Sequence, residues 1–315
     1  MIENVISLEN VSFSYNGQPA LNRVSYQVAP GEVVGLLGPN GAGKTTTVRL
    51  LNGLLSPQHG KASVLGMDPV SAGHEIRKHA GVLTEVSALY ENLTAWQNLH
   101  FFGGLHGLTE MQIRNKGTEL LRFFDIENRA DERVETYSKG MRQRLALVRV
   151  LLHEPVLLYL DEPTSGLDPE AAKKVIDLMR SFRQKEQRSM LICTHNLTVA
   201  GTLCDRLLVM RKGNILADGT LSELRTRFAP GLTVEIQLLN AVTEAMLKDL
   251  GALDQVVSYD RKDHSITIHI MHEEIIPQIL QCLVAAGALI KAVIPVEKSL
   301  EDVYLALQEE DSNEH

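Results

Sequence analysis

The spacing of apolar residues changes several times along the chain and predicts an alternation of strands and helices. Residues 6–15 alternate apolar and polar positions and are rich in strand formers, which predicts an N-terminal β-strand. Residues 156–160 form a continuous apolar run, which is typical of a strand buried on both faces of a parallel sheet. Further strands are predicted at residues 25–28, 32–37, 190–193 and 206–210. Together these elements indicate an α/β domain.

Helical spacing dominates the middle of this domain. Between about residues 86 and 152, apolar side chains recur at the three- and four-residue intervals of amphipathic helices. The pattern predicts helices at residues 96–102, 110–124 and 141–153. We therefore expect a helical insertion within an α/β domain that spans residues 1–225.

The pattern changes again after a junction marked by Gly219, Pro230 and Gly231. Four strands are predicted at residues 233–238, 256–259, 265–271 and 289–296, with helices at 242–250 and 274–286. This β-α-β-β-α-β order predicts a small accessory α+β domain of the split βαβ type over residues 231–309. A closing helix is predicted at 299–308, and residues 310–315 predict an acidic, solvated tail.

Composition limits the class of protein. The 315 residues suffice for two modest domains, and 44% hydrophobic with 22% charged residues is ordinary for a soluble globular protein. The formal net charge of −8 argues against a general nucleic-acid surface. No apolar stretch approaches the roughly 18 to 20 residues of a membrane span, and we expect no secretory signal. Three cysteines without CxxC spacing indicate free thiols in a reducing compartment.

One segment contains a complete phosphate-binding motif. The GxxxxGK[ST] pattern consists of Gly38, Pro39, Asn40, Gly41, Ala42, Gly43, Lys44 and Thr45, and Thr46 follows it. A predicted strand precedes the motif and a predicted helix at 46–54 follows, which favours a nucleotide site over a simple glycine-rich turn. Backbone N–H groups of the loop and helix N-terminus would wrap a phosphate chain. Lys44 would reach the β- and γ-phosphates, and the Thr45 hydroxyl would hold Mg²⁺.

Two carboxylates follow the buried strand at 156–160. Asp161 and Glu162 stand at the C-terminal end of that strand, where open α/β sheets bind ligands. Asp161 would orient Mg²⁺, and Glu162 would act as the general base toward an attacking water molecule. The alternative is a pair of surface carboxylates that close the strand, but the phosphate loop favours the catalytic interpretation.

Two further segments are weaker candidates. Ser138 occupies the predicted N-cap of the helix at 141–153, and its hydroxyl with the Gly140 N–H could form a second anion site. A simple capped helix explains the same residues. His195 follows the strand at 190–193, and a structural role explains a lone histidine there as well as catalysis does.

Taken in order, these motifs resemble those of the ATPase subunits of ABC transporters over about residues 3–225. The resemblance implies a P-loop NTPase fold, ATP and Mg²⁺ as ligands, and ATP hydrolysis as the reaction. It implies catalytic roles for Lys44, Glu162 and His195, and metal binding by Thr45 and Asp161. Further matches are Ser138 and Gly140 with the signature motif, Asp168 with the D-loop, and Tyr15 with the aromatic residue that stacks on adenine. Tyr15 could equally be an ordinary strand residue.

The sequence departs from the family pattern at two places. The usual signature, Leu-Ser-Gly-Gly-Gln, is replaced by Tyr137-Ser138-Lys139-Gly140-Met141, which keeps the anion-binding serine and glycine but loses the glutamine amide. The glutamine of the family's Q-loop is replaced by Glu85. A glutamate oxygen can still reach Mg²⁺, so Glu85 is a third candidate metal ligand; the alternative is a solvated loop acid.

The resemblance also implies partners. Two copies facing head to tail would sandwich two ATP molecules, so we expect a homodimer. A separate integral-membrane permease would dock on the segment after Glu85 and the helical insertion, including Tyr90, Leu93 and Trp96. The ending at 297–304 resembles that of multidrug or antibiotic exporter ATPases, which favours export of a drug, lipid or other small molecule from the cytoplasmic face of the membrane. The alternative is a soluble ATPase of the same superfamily that acts on ribosomes or nucleic acid, but we expect no nucleic-acid partner.

Overall fold

A computed structural model describes residues 3–313 except 187, 252, 254, 255 and 297, and at 184–186, 249 and 308–313 it describes the backbone only. The chain divides into two compact units between Thr220 and Leu221. This division lies within the Gly- and Pro-containing junction but before residue 225, so the helix that starts at Leu221 belongs to the second unit.

The first unit alternates strands and helices. Its strands are β1 (Ile6–Tyr15), β2 (Gln18–Val28), β3 (Val33–Leu37), β4 (His59–Val64), β5 (Ala80–Leu83), β6 (Leu157–Asp161), β7 (Ser189–Thr194), β8 (Arg206–Arg211) and β9 (Asn214–Gly219). Its helices are α1 (Lys44–Leu51), α2 (Pro69–His79), α3 (Ala95–Leu105), α4 (Glu110–Phe123), α5 (Lys139–Leu151), α6 (Pro169–Glu186) and α7 (Leu197–Leu203). Short 3₁₀ turns cover Glu127–Arg129 and Val134–Thr136.

The strands of this unit form two sheets. A three-stranded antiparallel sheet has the order β2-β1-β4, and a six-stranded sheet has the order β5-β6-β7-β3-β8-β9. In the larger sheet every pairing is parallel except that of β9 with β8. β3 and β7 are buried along their whole length. Residues 157–160 of β6 are also buried, as the apolar run at 156–160 predicts, whereas Val156 precedes the strand and is exposed. The parallel order places the carboxyl ends of β6, β7 and β3 side by side at one edge.

The helices α3, α4 and α5 follow the three helices that the apolar spacing predicts. Capping boxes begin α3, at Thr94 with Gln97, and α4, at Thr109 with Gln112. In each box the threonine hydroxyl accepts from the glutamine backbone N–H, and the glutamine side chain accepts from the threonine backbone N–H. Ser138 caps α5, whose buried face continues the core of the larger sheet. The predicted elements lack α2, which is broken by a non-helical Ala72. They also lack α6, although its residues Val175, Met179 and Phe182 recur at helical spacing and lie in the core.

The second unit confirms the predicted β-α-β-β-α-β order. It contains α8 (Leu221–Phe228), β10 (Leu232–Leu238), α9 (Glu244–Leu250), β11 (Val256–Lys262), β12 (Ser265–Ile270), a 3₁₀ turn at Glu273–Ile275, α10 (Ile276–Ala285), β13 (Ile290–Val296) and α11 (Leu300–Asn313). The strands form one antiparallel sheet in the order β11-β12-β10-β13. Alternate residues of β10 and β12 are buried in the core of this unit.

The closing helix is longer than predicted. The helix α11 continues to Asn313, so residues 310–313 of the predicted acidic, solvated tail have helical backbone. Residues 314 and 315, also assigned to the tail, lie outside the described residues.

A stacked pair of histidines joins the ends of α3 and α5. His106, the C-cap of α3, lies parallel to His153 with ring centroids 3.7 Å apart and an interplanar angle of 13°. Burial, reinforced by the neighbouring His106, lowers the pKa of His153 to about 4. The folded protein therefore holds His153 neutral, and acid must charge it when the protein unfolds.

Stability should therefore fall as the pH is lowered. The folded pKa of His153 lies below its unfolded value, so its contribution is present above about pH 6.5 and is lost as the pH falls toward about 4. His153→Phe keeps an aromatic ring on His106 and should remove up to about 3 kcal/mol of this acid sensitivity. Urea unfolding, followed by the fluorescence of the single tryptophan Trp96, measures the free energy of unfolding at about pH 6.5 and about pH 4. The control is His74→Phe, because His74 on α2 is exposed. This variant should lose stability with falling pH to the same extent as the wild type.

Candidate functional site

The predicted phosphate loop connects β3 to α1. Gly43 is the N-cap of α1 with φ of 114°, and no side chain caps this helix N-terminus. A Cβ atom on Gly43 would lie 2.7 Å from the Ala20 carbonyl oxygen, so only glycine fits this position. The loop therefore leaves the first N–H groups of α1 available for a phosphate.

Gly43→Ala should damage both the fold and nucleotide binding. The left-handed backbone alone should cost about 1–3 kcal/mol, and the clash with the Ala20 carbonyl adds to this. We expect a lower melting temperature and at least about tenfold weaker ATP binding by calorimetry. Gly104→Ala is the control: this glycine lies in α3 with nothing within 4 Å of a Cβ atom, so alanine should stabilise by up to about 1 kcal/mol. Equal effects of both substitutions would contradict the argument.

Lys44 is folded back onto its own loop. Its ammonium group donates to the carbonyl oxygens of Gly38 at 2.6 Å and Pro39 at 3.0 Å, and the residue is only 9% exposed. Among the described residues no carboxylate forms a direct ion pair with Lys44, although Asp161 lies within electrostatic reach. Phosphate oxygens would supply a direct anionic partner.

The carboxyl end of β6 holds Glu162 in a dense network. Glu162 has a left-handed φ of 48°, which is uncommon for a residue with a side chain and occurs at functional sites. Its Oε2 accepts from the Thr194 hydroxyl at 2.9 Å, and its Oε1 accepts from the His195 N–H at 2.8 Å. The His195 Nδ1 atom lies 2.6 Å from the same Oε1. The parallel pairing of β6 and β7 thus fixes the direction of the carboxylate.

Asp161 differs from its neighbour in its surroundings. Burial and the adjacent Glu162 carboxylate raise the pKa of Asp161, Lys44 opposes this rise, and Glu85 adds to it. Asp161 therefore lies within electrostatic reach of two other carboxylates and one lysine. A cation bound near Asp161 would offset the repulsion between the carboxylates.

These residues line one cleft of about 570 Å³, a volume typical of small-molecule sites. Of the predicted site residues it brings together Tyr15, Asn40, Gly41, Ala42, Gly43, Lys44, Thr45, Thr46, Glu85, Asp161, Glu162 and His195. Gly38 and Pro39 lie behind it and contact Lys44 through their carbonyl groups. The cleft also includes Gln18, Pro19, Ala20 and Ser165. The first three form the start of β2, and no sequence motif marks them.

Tyr15 lies at the rim of this cleft. It is 39% exposed, its ring makes an edge contact with Phe13, and its hydroxyl accepts from Arg49 at 3.4 Å. Its place among the residues that line the cleft is compatible with the prediction of a base-stacking residue.

The signature segment lies outside the cleft of its own chain. Ser138, Gly140 and Asp168 are not among the residues that line it. The Ser138 hydroxyl accepts from the Met141 N–H at 3.2 Å, and Asp168 caps α6 by accepting from the Ala171 N–H at 2.9 Å. A Cβ atom on Gly140 would lie 3.0 Å from the Gly166 carbonyl oxygen, so the signature segment and the Ser165–Asp168 segment are adjacent.

Gln143 also supports the site, and no sequence motif had marked it as a candidate. Its amide nitrogen donates to the carbonyl oxygens of Glu162 at 3.2 Å and Pro163 at 3.3 Å, and the residue is buried in α5. It links the helix that follows the signature to the strand end that presents the carboxylates. A buried polar residue on the apolar face of a predicted helix was the available signal.

The altered signature residues have defined contacts. The aliphatic part of Lys139 lies against Gly166, with its Cδ and Cε atoms 3.0 Å from where a Cβ would stand. Met141 packs against the core of the larger sheet. Neither residue points into the nucleotide cleft of this chain.

Comparison with known proteins supports the same interpretation. The family model described as "ABC transporter" matches residues 21–165, and the one described as "ATP-binding protein DrrA1-3-like, C-terminal domain" matches residues 219–307. The daunorubicin resistance ATP-binding protein DrrA3 of Streptomyces coeruleorubidus is 36% identical over 99% of this chain and 98% of its own length. The chain belongs to the ABC transporter ATP-binding proteins. It is an ATP-binding subunit with the ABC ATPase fold, and the family's reaction is ATP hydrolysis.

Two further relatives extend the comparison. The Nod factor export ATP-binding protein I of Rhizobium sp. (strain N33) is 40% identical over 70% of this ABC subunit and 72% of its own length. The solved structure of an ATP binding subunit of an ABC transporter has a TM-score of 0.65 and 33% identity, and the match covers 71% of this chain and 93% of that chain. Within the part of this ABC subunit that the structure describes, no helix is long and apolar enough to cross a membrane.

Proposed function

We propose that this ABC subunit hydrolyses ATP as a homodimer and drives export through a separate membrane subunit. The observation that carries the proposal is the division of the motifs: the phosphate loop, Asp161, Glu162 and His195 line the nucleotide cleft, whereas Ser138 and Gly140 do not. A second copy facing head to tail would bring those two residues to the cleft and complete it.

The residues of the cleft fit Mg²⁺. The Thr45 hydroxyl and the Asp161 and Glu85 carboxylates are hard oxygen donors that line the same cleft. In the described residues no cluster of three or more His, Cys, Asp or Glu side chains forms a complete metal site. This matches the preference of Mg²⁺ for one or two protein ligands with substrate phosphates and water. When bound, the ion would neutralise charge on the β- and γ-phosphates.

The side chains of the cleft then have distinct roles. Glu162 accepts a proton from the water that attacks the γ-phosphorus, and the bond to the bridging β,γ-oxygen breaks. Lys44 neutralises charge on the phosphates, and His195 and Thr194 hold the Glu162 carboxylate in direction through their bonds to its two oxygens. Ser138 and the Gly140 N–H of the second copy would contact the γ-phosphate, so hydrolysis would weaken the dimer.

Export and membrane location rest on the relatives. Proteins named for daunorubicin resistance and Nod factor export match this chain over most of its length or over its ATPase unit. We propose a drug, lipid or other small molecule as cargo and the cytoplasmic face of the membrane as the location. The permease would dock on the exposed Tyr90 with its edge-contacting neighbour Phe101. Trp96, also expected there, is partly buried in the core and covered by Arg114 at 4.5 Å.

The dimer is tested at Ser138 with a matched pair. Asp and Asn both cap helices well, so Ser138→Asp and Ser138→Asn should keep the cap of α5 and the monomer fold. Aspartate would place a negative charge against the γ-phosphate of the facing copy, so this variant should lose ATP-dependent dimerisation in size-exclusion chromatography. Asparagine should retain it, and each monomer should bind one ATP with nearly wild-type affinity. An aspartate variant that still dimerises with ATP would refute the sandwich arrangement.

A soluble ATPase that acts on ribosomes or nucleic acid is the alternative. The match to the DrrA-like C-terminal domain over residues 219–307 and the full-length match to a resistance protein favour the transporter subunit. Co-sedimentation with ribosomes in place of membranes containing a permease would reverse this preference.

A further inference from the structure

A second cavity, which we term the basic cavity, lies in the first unit and shares no lining residue with the nucleotide cleft. Its volume is about 160 Å³, roughly that of five water molecules. It lies where α2, β5, α3 and α5 meet, and Arg77, Ala80, Val82, Phe102, His106, Arg149, Val150 and His153 line it. Four of these residues are basic and none is acidic. The cavity admits one small polyatomic ion.

Two nitrogen atoms of these lining residues are buried without a hydrogen-bond partner in the described structure, Arg149 Nε and His153 Nδ1. The other Arg149 nitrogens donate to the carbonyl oxygens of Val82 at 3.2 Å and Ala88 at 3.5 Å. The remaining His153 nitrogen, Nε2, lies 3.3 Å from the Ala80 carbonyl oxygen and so donates to it. Buried polar atoms normally have partners. An acceptor in the cavity would satisfy Arg149 Nε–H directly, and it would satisfy His153 Nδ1 once that nitrogen is protonated.

The described charged side chains that line the cavity are positive. Arg77 donates to the Asn52 carbonyl oxygen at 2.6 Å, and Arg149 faces the Phe102 ring at 4.9 Å, so both guanidinium groups have neutral partners there. Burial and the positive Arg149 lower the pKa of His106. Burial, His106, Arg188 and Arg149 together lower the pKa of His153 despite its bond to Ala80. Every charged neighbour named here is positive, so an anion would relieve repulsion on all sides.

We propose that the basic cavity is an oxyanion site that holds one carboxylate or phosphate group between Arg149 and His153. The bound group accepts from Arg149 Nε–H and from the protonated His153 Nδ1–H. Binding therefore takes up a proton, and affinity rises as the pH falls. The group is carried either by a free anion or by the headgroup of an anionic phospholipid, since both present the same oxygen atoms.

Histidine ring signals in ¹H–¹³C NMR spectra test the site directly. In these samples MgADP is added to fill the nucleotide cleft. The histidine signals are then compared between chloride buffer and buffer in which inorganic phosphate or acetate replaces chloride at constant ionic strength. We expect the pKa values of His153 and His106 to rise by about one unit or more in phosphate or acetate. The ring signals of exposed His74 should show no dependence on which anion is present. Unchanged titration of both stacked histidines in both anions, together with no retention by the vesicles described next, overturns the proposal.

Variant proteins test where the anion binds, and vesicles test whether the anion is a lipid headgroup or a free ion. Arg77→Met and His153→Phe should each weaken the response of His106 to phosphate at least about tenfold, and His74→Gln should not. If His153→Phe fails to fold, the wild-type titration and Arg77→Met decide the question. Retention by phosphatidylglycerol vesicles but not phosphatidylcholine vesicles, reduced by Arg77→Met, identifies a lipid headgroup. A histidine response without such retention identifies a free anion. A response that both variants leave intact contradicts the assignment.

Discussion

Glu162→Gln is expected to lower kcat for ATP hydrolysis by roughly 10²- to 10⁴-fold and to leave ATP binding close to that of the wild type. Glutamine keeps a carbonyl oxygen that can accept from the His195 N–H, as Glu162 Oε1 does at 2.8 Å. It cannot take a proton from water, so the chemical step is lost while the cleft is preserved. Phosphate release measures the first effect, and calorimetry with ATP measures the second.

This variant should also accumulate as an ATP-bound dimer, because the γ-phosphate that would join the two copies is no longer removed. Size-exclusion chromatography with Mg²⁺ and ATP detects it. Glu170→Gln provides the control, since Glu170 begins α6 with a side chain that is 84% exposed. Hydrolysis at the wild-type rate in Glu162→Gln would exclude Glu162 as the base.

Lys44→Met should weaken ATP binding by roughly 30- to 5,000-fold, which corresponds to the loss of about 2–5 kcal/mol from a buried charge pair. Methionine has a similar length but no charge, so the Gly38 and Pro39 carbonyl groups lose their donor and the phosphates lose their cation. Fluorescent nucleotide titration measures the change.

The control for this second variant is Lys173→Met, because Lys173 is exposed on α6 and should tolerate the substitution. Lys44→Arg, tested beside it, shows whether a positive charge of different shape restores part of the affinity. Affinity of Lys44→Met within about threefold of the wild type would show that Lys44 only organises the loop.

The local pattern of the sequence predicted most elements and the chemistry of the loop. The alternation at residues 6–15 corresponds to β1, because successive side chains of a strand point to opposite faces. The apolar run at 156–160 corresponds to β6, because a central parallel strand is buried on both faces. The helices at 110–124 and 141–153 correspond to α4 and α5. The short strand β5 has too few residues for a clear pattern and was missed. The helix α6 was also missed, although Val175, Met179 and Phe182 recur at helical spacing.

In the candidate site, too, some features were predictable from local sequence and others were not. GxxxxGK[ST] identifies a phosphate loop from neighbouring residues, because the turn, the lysine and the helix start are local in the chain. Contacts between distant residues, such as Gln143 with Pro163, depend on how α5 packs against the end of β6. Ala20 and its neighbours at the start of β2 enter the cleft only because β2 folds over the loop.

Local sequence was thus sufficient to predict the alternation of elements, the phosphate loop and the identity of the carboxylates at the end of β6. The fold adds the position of β7 beside β6 and β3, which brings Thr194 and His195 onto Glu162. The fold also places Ser138 outside the cleft of its own chain. Periodicity records how much of each element is buried, whereas strand order and helix packing depend on contacts between residues far apart in the chain.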